Sequence, residues 1–464
     1  VTESNQVNSE RNVATDSLFA ERALTIVLAV FLFAIPLAYS PGDDLFDDFY
    51  YAPKLKTGLF LLSVAGAFFI YLSVRKRIPP KFFRVHFVVL MFLAAMGLSV
   101  ILSPHPQKAF WGRHFRSEGL LAFVLYGVAF FLFSWHSRSG ENARKLIRVI
   151  IFSAIIASAY GLLQFGGGEI LSRDRIRAGW WRAFATSGNP DFLSAFLLLV
   201  LPFPVLFYLC ASDIQKKSKN LLWLVASAII FSCILATYHR GAWVGLAAAC
   251  LVAGVALWRK VQLRSLFKVK RVFILVAVFI TCLLAISYYA EASGRPSILT
   301  RISSGVGTES IEESSIDVRT YIWRATCVLI MKRPAFGWGP DTMYDVFQKH
   351  APKPVQLGYQ GIMRTKPDKP ENIFLQIAYE GGMVALVPFA VVIGLILLSL
   401  WRSLSGLDGN DRLIVFGVFL GITAYLAQQQ FSFSTLSTSP IFWSLAGMGL
   451  AVSSYAESTK TKLR

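Results

Sequence analysis

The chain has 464 residues, of which 55% are hydrophobic and 14% aromatic, and a formal net charge of +19. Only 16% of its residues are charged, against about a quarter in soluble domains, and mean hydropathy is +0.54. This balance excludes an ordinary soluble domain and puts most of the mass in a bilayer; whether the positive charge serves nucleic acid or a membrane depends on where it falls.

The first 22 residues are polar and of mixed charge, without the basic start and small-residue cleavage site of a signal peptide. The first apolar run is therefore expected to stay as a membrane helix. About twelve runs are long enough to cross about 30 Å of hydrocarbon as helices. They lie near 23–40, 57–74, 86–103, 119–135, 147–166, 192–210, 221–238, 242–258, 272–289, 383–400, 413–430 and 439–455. Connections after even-numbered spans are basic, as in "RKRIPPKFFR" (75–84), "RSGENARKLIR" (138–148) and "RKVQLRSLFKVKR" (259–271). Connections after odd-numbered spans include the acidic "PGDDLFDDFYYAPK" (41–54) and the polar "FSFSTLSTSP" (431–440). The positive-inside rule then predicts both termini in the cytoplasm. The positive charge is assigned to the cytoplasmic face and its anionic lipids, so membrane lipids are expected partners and nucleic acid is not. Of the five cysteines only Cys327 falls in a long loop, and no disulfide framework or metal-ligand spacing follows. They read as small apolar core residues.

The expected organisation is all-α and polytopic: residues 1–289 with nine spans, 290–382 as one long outer segment, and 383–464 with three spans and a cytoplasmic tail. Within the long segment, 314–340 reads as a helix and then a turn. Ser315 is a candidate cap, Asp317 suits the helix start, and Ile322, Ala325, Leu329 and Ile330 share a face. That helix is expected either along the membrane or on the bundle. Residues 342–350 suggest another short helix, and 351–370 a loop. No internal repeat is evident, which weighs against an inverted-repeat transporter.

The outer face carries Arg113, Arg116, Arg173, Arg175, Arg177, Arg182, Arg240, Arg295, Arg301, Arg319, Arg324 and Arg364. Arginine binds phosphate oxygens bidentately and keeps its charge when partly buried, so this set fits an anionic partner or lipid headgroups. Trp180 and Trp181 fit interface anchors. Arg240 occupies "YHRGAWVG" (238–245), a very short connection between two spans, where a charge implies a polar cavity or a partner. His239 beside it reads as a polar interface residue. Glu371 stands at the predicted start of a helix, in "DKPENIFLQIAYEGG" (368–382). Glu371, Asp368 and Asp317 each suit capping or salt bridging, and Glu371 also suits a catalytic acid or base.

The segments "ATSGNPDFLSAFLLLVLP" (185–202), "HRGAWVG" (239–245), "RTYIWRATCVLIMKRPAFGWGPD" (319–341) and "ENIFLQIAYEGG" (371–382) resemble, in this order, the bacterial O-antigen ligase and polymerase family. The core of the likeness covers about residues 180–400. It implies a GT-C-like membrane glycosyltransferase of the bacterial inner membrane, with its active site facing the periplasm or outside. The implied donor is an undecaprenyl-diphosphate-linked glycan and the acceptor a lipid A core or other glycan, with no cofactor or metal. By the same resemblance Arg240 and Arg319 hold the donor diphosphate, while Trp323, Gly337 and Gly339 shape the loop. Asn372 matches the asparagine of the family's His-Asn pair, and Glu371 stands where its histidine would be. Either the carboxylate replaces imidazole as base, or another residue such as His350 acts, or the chain is a divergent member. Arg182 and His350 complete the candidate substrate-binding set. A transporter of lipid-linked sugars and a non-catalytic glycan-binding scaffold are the alternatives.

Overall fold

In hydrocarbon a helix satisfies all of its own backbone hydrogen bonds, which is why long apolar runs adopt it. The computed structural model describes residues 2–40, 48–75, 84–138, 140–171, 181–210, 217–260, 263, 267–303, 314–350, 367–407 and 409–463. Arg173, Arg175, Arg177, Arg364, Trp180 and the loop 351–366 lie outside the described residues, as do the side chains of Ser315 and Asp317.

Every regular element among the described residues is helical. In chain order these are α1 (Thr2–Leu37), α2 (Tyr51–Arg75), α3 (Arg84–Ile101), α4 (Pro106–Trp111), α5 (Leu120–His136), α6 (Gly140–Phe165), α7 (Pro190–Val200) and α8 (Pro202–Leu209). There follow α9 (Lys217–Ala236), α10 (Arg240–Arg259), α11 (Val269–Ala292), α12 (Ile298–Ser303), α13 (Ser314–Lys332) and α14 (Met343–His350). Then come α15 (Ile373–Ser403), α16 (Gly409–Gln428), a 3₁₀ turn (Gln429–Phe431) and α17 (Ser439–Leu463). Ten spans among the described residues are long and apolar enough to cross a membrane, α7 and α8 together forming one of them. The apolar α5 is shorter at 17 residues. With α17, each of the twelve expected spans falls on a helix. The protein is an all-α, multi-pass membrane protein. The sixth span is interrupted at Leu201 because Pro202 has no N–H to continue the ladder.

Helix α7 lies at the centre, with every residue except Asp191 buried. Around it α5 packs on α17, α1 on α2 and α6, α3 on α15, and α10 on α16. Glycines permit these approaches, as small residues do between membrane helices generally. A Cβ at Gly245 would meet Ala424 O at 2.6 Å, one at Gly421 Leu199 O at 2.6 Å, and one at Gly447 Phe130 O at 2.5 Å. The cysteines depart from expectation: only Cys233 is buried, whereas Cys250 and Cys327 are exposed.

Helix α13 packs on the bundle through α15. Its Ile322, Ala325 and Leu329 are buried in a small core with Trp338, Met343, Val346, Phe347 and Tyr379. The turn that follows it docks where α15 bends. Gly382 has φ +66°, which opens the helix, and a Cβ there would strike Ala335 O. The freed groups are taken up by the turn: Met383 N donates to Pro334 O (2.8 Å), while Trp338 N and Gly339 N donate to Tyr379 O and Glu380 O (2.9 Å each). The "FSFSTLSTSP" connection, expected as an outer polar loop, is almost wholly buried. Several of its polar groups bond internally: Ser434 N donates to Gln376 Oε1 at 2.9 Å and Ser434 Oγ to Glu118 Oε1 at 2.6 Å.

The loop contacts fall into two groups matching the charge asymmetry of the sequence. Arg144 pairs with Asp411 (3.4 Å) and Lys260 donates to Ser405 Oγ (2.7 Å) among the basic connections. Arg116 with Asp368 and Asn372 with Gln430 join connections of the other set. If these sets face cytoplasm and exterior respectively, a cysteine replacing exposed Ser293, in a background lacking the native cysteines, reacts with an impermeant maleimide in cells with a permeabilised envelope. A cysteine replacing Lys219 reacts only after inner-membrane lysis, and the reverse pattern overturns the orientation.

Candidate functional site

The long segment between α11 and α15 returns to the bundle through Lys369, which is 1% exposed and surrounded by carboxylates. Its Nζ is 2.8 Å from Glu380 Oε1 and 3.5 Å from both Glu118 Oε2 and Asp341 Oδ1. Burial alone would lower the lysine pKa, but Glu380, Asp341 and Glu118 together raise it well above its ordinary value. Burial pushes Glu118 up to about 7, Lys369 opposing and Glu380 and Asp341 adding to the rise. Three carboxylates around one ammonium carry excess negative charge, and the raised pKa of Glu118 lets it hold a proton for part of the time at neutral pH. Glu118 Oε1 accepts from Tyr126 (2.9 Å) and Ser434 (2.6 Å), and Asp341 Oδ2 accepts from Arg113 N (2.7 Å). Four separate stretches of chain thus meet on one lysine.

Two residues later stands Glu371, in the left-handed region at φ +54°, which is uncommon and strained for a residue with a Cβ. Its flanks hold it there. Asn372 caps α15, its Oδ1 accepting from Phe374 N and Leu375 N at 3.0 and 3.1 Å, while its Nδ2 donates to Gln430 O at 3.1 Å. On the other flank Asp368 accepts from Arg116 Nε at 2.7 Å. Burial would raise the Asp368 pKa, but Arg116 holds it below the usual carboxylate range. Trp323 Nε1 donates to Glu371 O at 3.4 Å.

The Glu371 carboxylate lies 4.0 Å from Arg319 Nε, and both side chains are about a quarter exposed. Arg319 Nε is buried with no hydrogen-bond partner. Burial raises the Glu371 pKa to about 7, Arg319 pulling it down and Asp191 and Asp368 pushing it up. Asp191, at the start of α7, lies 3.6 Å from Arg182 Nη2 and 3.5 Å from His239 Nε2. Arg182 Nε donates to Thr237 O at 2.7 Å, tying its loop to the one before α10. Burial lowers the His239 pKa to about 4; Asp191 opposes, and Arg182, Arg319 and Arg301 lower it further, so the imidazole is neutral.

Glu371, Asn372, Arg319, Trp323 and, through Asp191, Arg182 form one connected cluster. Arg240 is exposed at the first position of α10, next to His239. His350 stands elsewhere: its ring packs on Trp338 at 4.7 Å and its carbonyl accepts from Lys332 at 2.6 Å. No described contact joins it to Arg319 or Glu371. Asp191, Lys369, Glu118, Asp341, Glu380 and the buried Gln428 and Gln429 were not picked out from sequence. Glu380 carried a signal, an ionisable residue at the edge of an apolar run. Lys369 carried none. Among the described residues no three His, Cys, Asp or Glu side chains form a metal-binding group, and Lys369 fills the centre of the carboxylate cluster.

Fold and site together define a multi-pass helical membrane protein whose polar site, at one end of the helix bundle, is roofed by a long helical segment. Residues 225–390 match the family model described as O-antigen ligase, a region running from α9 into α15 through Arg240, Arg319, Trp323, Glu371 and Asn372. The match supports the O-antigen ligase and polymerase family for this chain. No curated protein matches it.

Removing the ammonium would leave the carboxylates facing one another in an apolar interior. Lys369→Met is expected to cost about 3–5 kcal/mol, as breaking a buried ion pair does. Glu118→Gln, replacing a group already partly protonated, is expected to cost much less. Thermal melting of both purified variants checks the order; equal melting temperatures for Lys369→Met and wild type would remove the latch.

Proposed function

We propose that this protein moves a glycan from an undecaprenyl-diphosphate carrier to an acceptor hydroxyl on the outer face of the inner membrane, by single displacement with inversion and without metal. The O-antigen ligase match suggests glycosyltransferase-type activity. The observation that carries the finer reading is the Arg319–Glu371 pair: a guanidinium with an unpartnered Nε beside a carboxylate whose pKa is pushed up to about 7.

A diphosphate is a good leaving group that needs charge stabilisation more than protonation. Arg319, with Arg240 nearby at the membrane edge, supplies bidentate donors to its oxygens. Glu371 accepts the proton of the acceptor hydroxyl as that oxygen bonds the anomeric carbon. The bond from this carbon to the diphosphate breaks, and the electron pair leaves with the diphosphate. A carboxylate held near 7 is a stronger base than an ordinary glutamate, which offsets the missing histidine. When an anionic diphosphate engages Arg319, the pull of the guanidinium on Glu371 weakens and basicity rises further. Asn372 and Trp323 act as positioning residues, one capping α15 and the other holding the Glu371 carbonyl. Arg182 orients Asp191 at the side of the site. His350, packed on Trp338, supports the roof. The acceptor is a lipid A core sugar in a ligase or a second lipid-linked repeat in a polymerase, with ligase the reading preferred.

Glu371→Gln is expected to lower single-turnover transfer by about 10²–10⁴-fold with melting temperature nearly unchanged, as loss of a positioned base does. The kcat/KM of wild-type transfer should rise with pH through about 7 and level off above it, because only the ionised carboxylate of the free protein accepts the proton. A glutamine variant that transfers normally would remove the base assignment. Arg319→Ala should abolish transfer and Arg319→Lys restore little of it, since lysine loses the bidentate contact. Normal turnover by the alanine variant would remove the diphosphate assignment.

A further inference from the structure

His239 is 5% exposed, yet its Nε2 has no hydrogen-bond partner. The ring is fixed from behind: Nδ1 lies 3.1 Å from Ser194 Oγ and 3.4 Å from Gln428 Nε2. The Gln428 amide is itself oriented, because its Oε1 accepts from Gln429 Nε2 at 2.8 Å, so its NH₂ faces the ring. Ser194 Oγ gives its own proton to Asp191 O at 2.9 Å, so the tautomer is set by the Asp191 carboxylate beside Nε2 and the Gln428 NH₂ facing Nδ1, which together favour the proton on Nε2. That N–H stands 3.5 Å from Asp191 Oδ2, a carboxylate 18% exposed and braced from its other oxygen by Arg182.

A donor and a carboxylate acceptor, side by side and not hydrogen-bonded to each other, match one chemical group. A hydroxyl accepts from Nε2–H through its oxygen and donates its hydrogen to Oδ2. An anion is disfavoured by Asp191, and a metal cation by Arg182, Arg301 and Arg319, whose charges all act on His239. We infer that Asp191 and His239 form a specificity-determining pair that holds a hydroxyl of the sugar joined directly to the carrier diphosphate. This rests on the donor assignment proposed above. The sugar concerned follows from position: the charges of Arg319 and Asp191 act on His239 and Glu371 respectively, so the pair adjoins the groups assigned to the diphosphate and the base, next to which the attacked carbon must lie.

The test measures binding of undecaprenyl diphosphate, and of the same lipid carrying glucose, galactose, N-acetylglucosamine or N-acetylgalactosamine, to the purified full-length protein. Wild type should prefer at least one sugar-bearing lipid over the sugar-free one by about tenfold or more, because a site built to bond a hydroxyl discriminates strongly against its absence. Asp191→Asn and His239→Ala should lose that preference while still binding the sugar-free lipid as wild type does. His239→Gln, which keeps an N–H donor, should retain part of it. Three outcomes overturn the inference: no sugar preference in wild type, an intact preference in both variants, or parallel loss of both lipids together with a lowered melting temperature. Failure of wild type to bind undecaprenyl diphosphate at all would instead remove the donor assignment, and this inference with it.

Discussion

The polar end of the bundle that carries the site depends on one buried charge. An ammonium taken out of water is costly unless carboxylates surround it, and three carboxylates are tolerable together only around a cation. Lys369 therefore draws Glu118, Asp341 and Glu380 from three different parts of the chain to one point. Because Lys369 lies two residues before Glu371, whatever holds the lysine also holds the candidate base. The left-handed backbone at Glu371 is kept by the anchors on either side, the lysine before it and the Asn372 cap after it.

The same economy governs the bend in α15. Gly382 opens the helix at the point where the polar site meets the apolar span, and the turn after α13 fills the gap with its own N–H groups. Non-helical backbone at the membrane edge is acceptable here because protein covers it. Unwinding and docking depend on each other: without the turn, the freed carbonyl of Tyr379 would lose its N–H partner and that of Glu380 would keep only Ser99 Oγ. The roof of the site is thus hydrogen-bonded into the bundle through backbone as well as through Lys369.

The electrostatics divide into two zones. Around Lys369 every described charge has a close opposite partner, which suits a latch. A few residues away Arg319 Nε and His239 Nε2 have no hydrogen-bond partner, and Glu371 reaches Arg319 only at 4.0 Å. Under-satisfied buried donors are expensive in a finished fold and economical in a binding site, where the ligand completes them. This contrast, more than the number of arginines, distinguishes the ion cluster that holds the structure from the groups available for chemistry.

Much of the architecture was already determined by the sequence. Apolar runs of membrane length must become helices, the lysine and arginine asymmetry sorts the connections, and Ile322, Ala325 and Leu329 at helical spacing foretold the buried face of α13. Glu371 and Arg319 were legible as candidates because charge near hydrocarbon needs a reason. Other features were decided only by tertiary structure. The "FSFSTLSTSP" run reads as solvent-facing, since sequence composition cannot say that Ser434 bonds Gln376 through its N–H and Glu118 through its hydroxyl. Lys369 looks like one more loop lysine until residues 118, 341 and 380 close around it. His239 looks like an interface histidine until Asp191, 48 positions earlier, arrives at 3.5 Å. Local pattern records how each segment meets water or lipid, whereas pairing between distant charges depends on where the folded chain brings them.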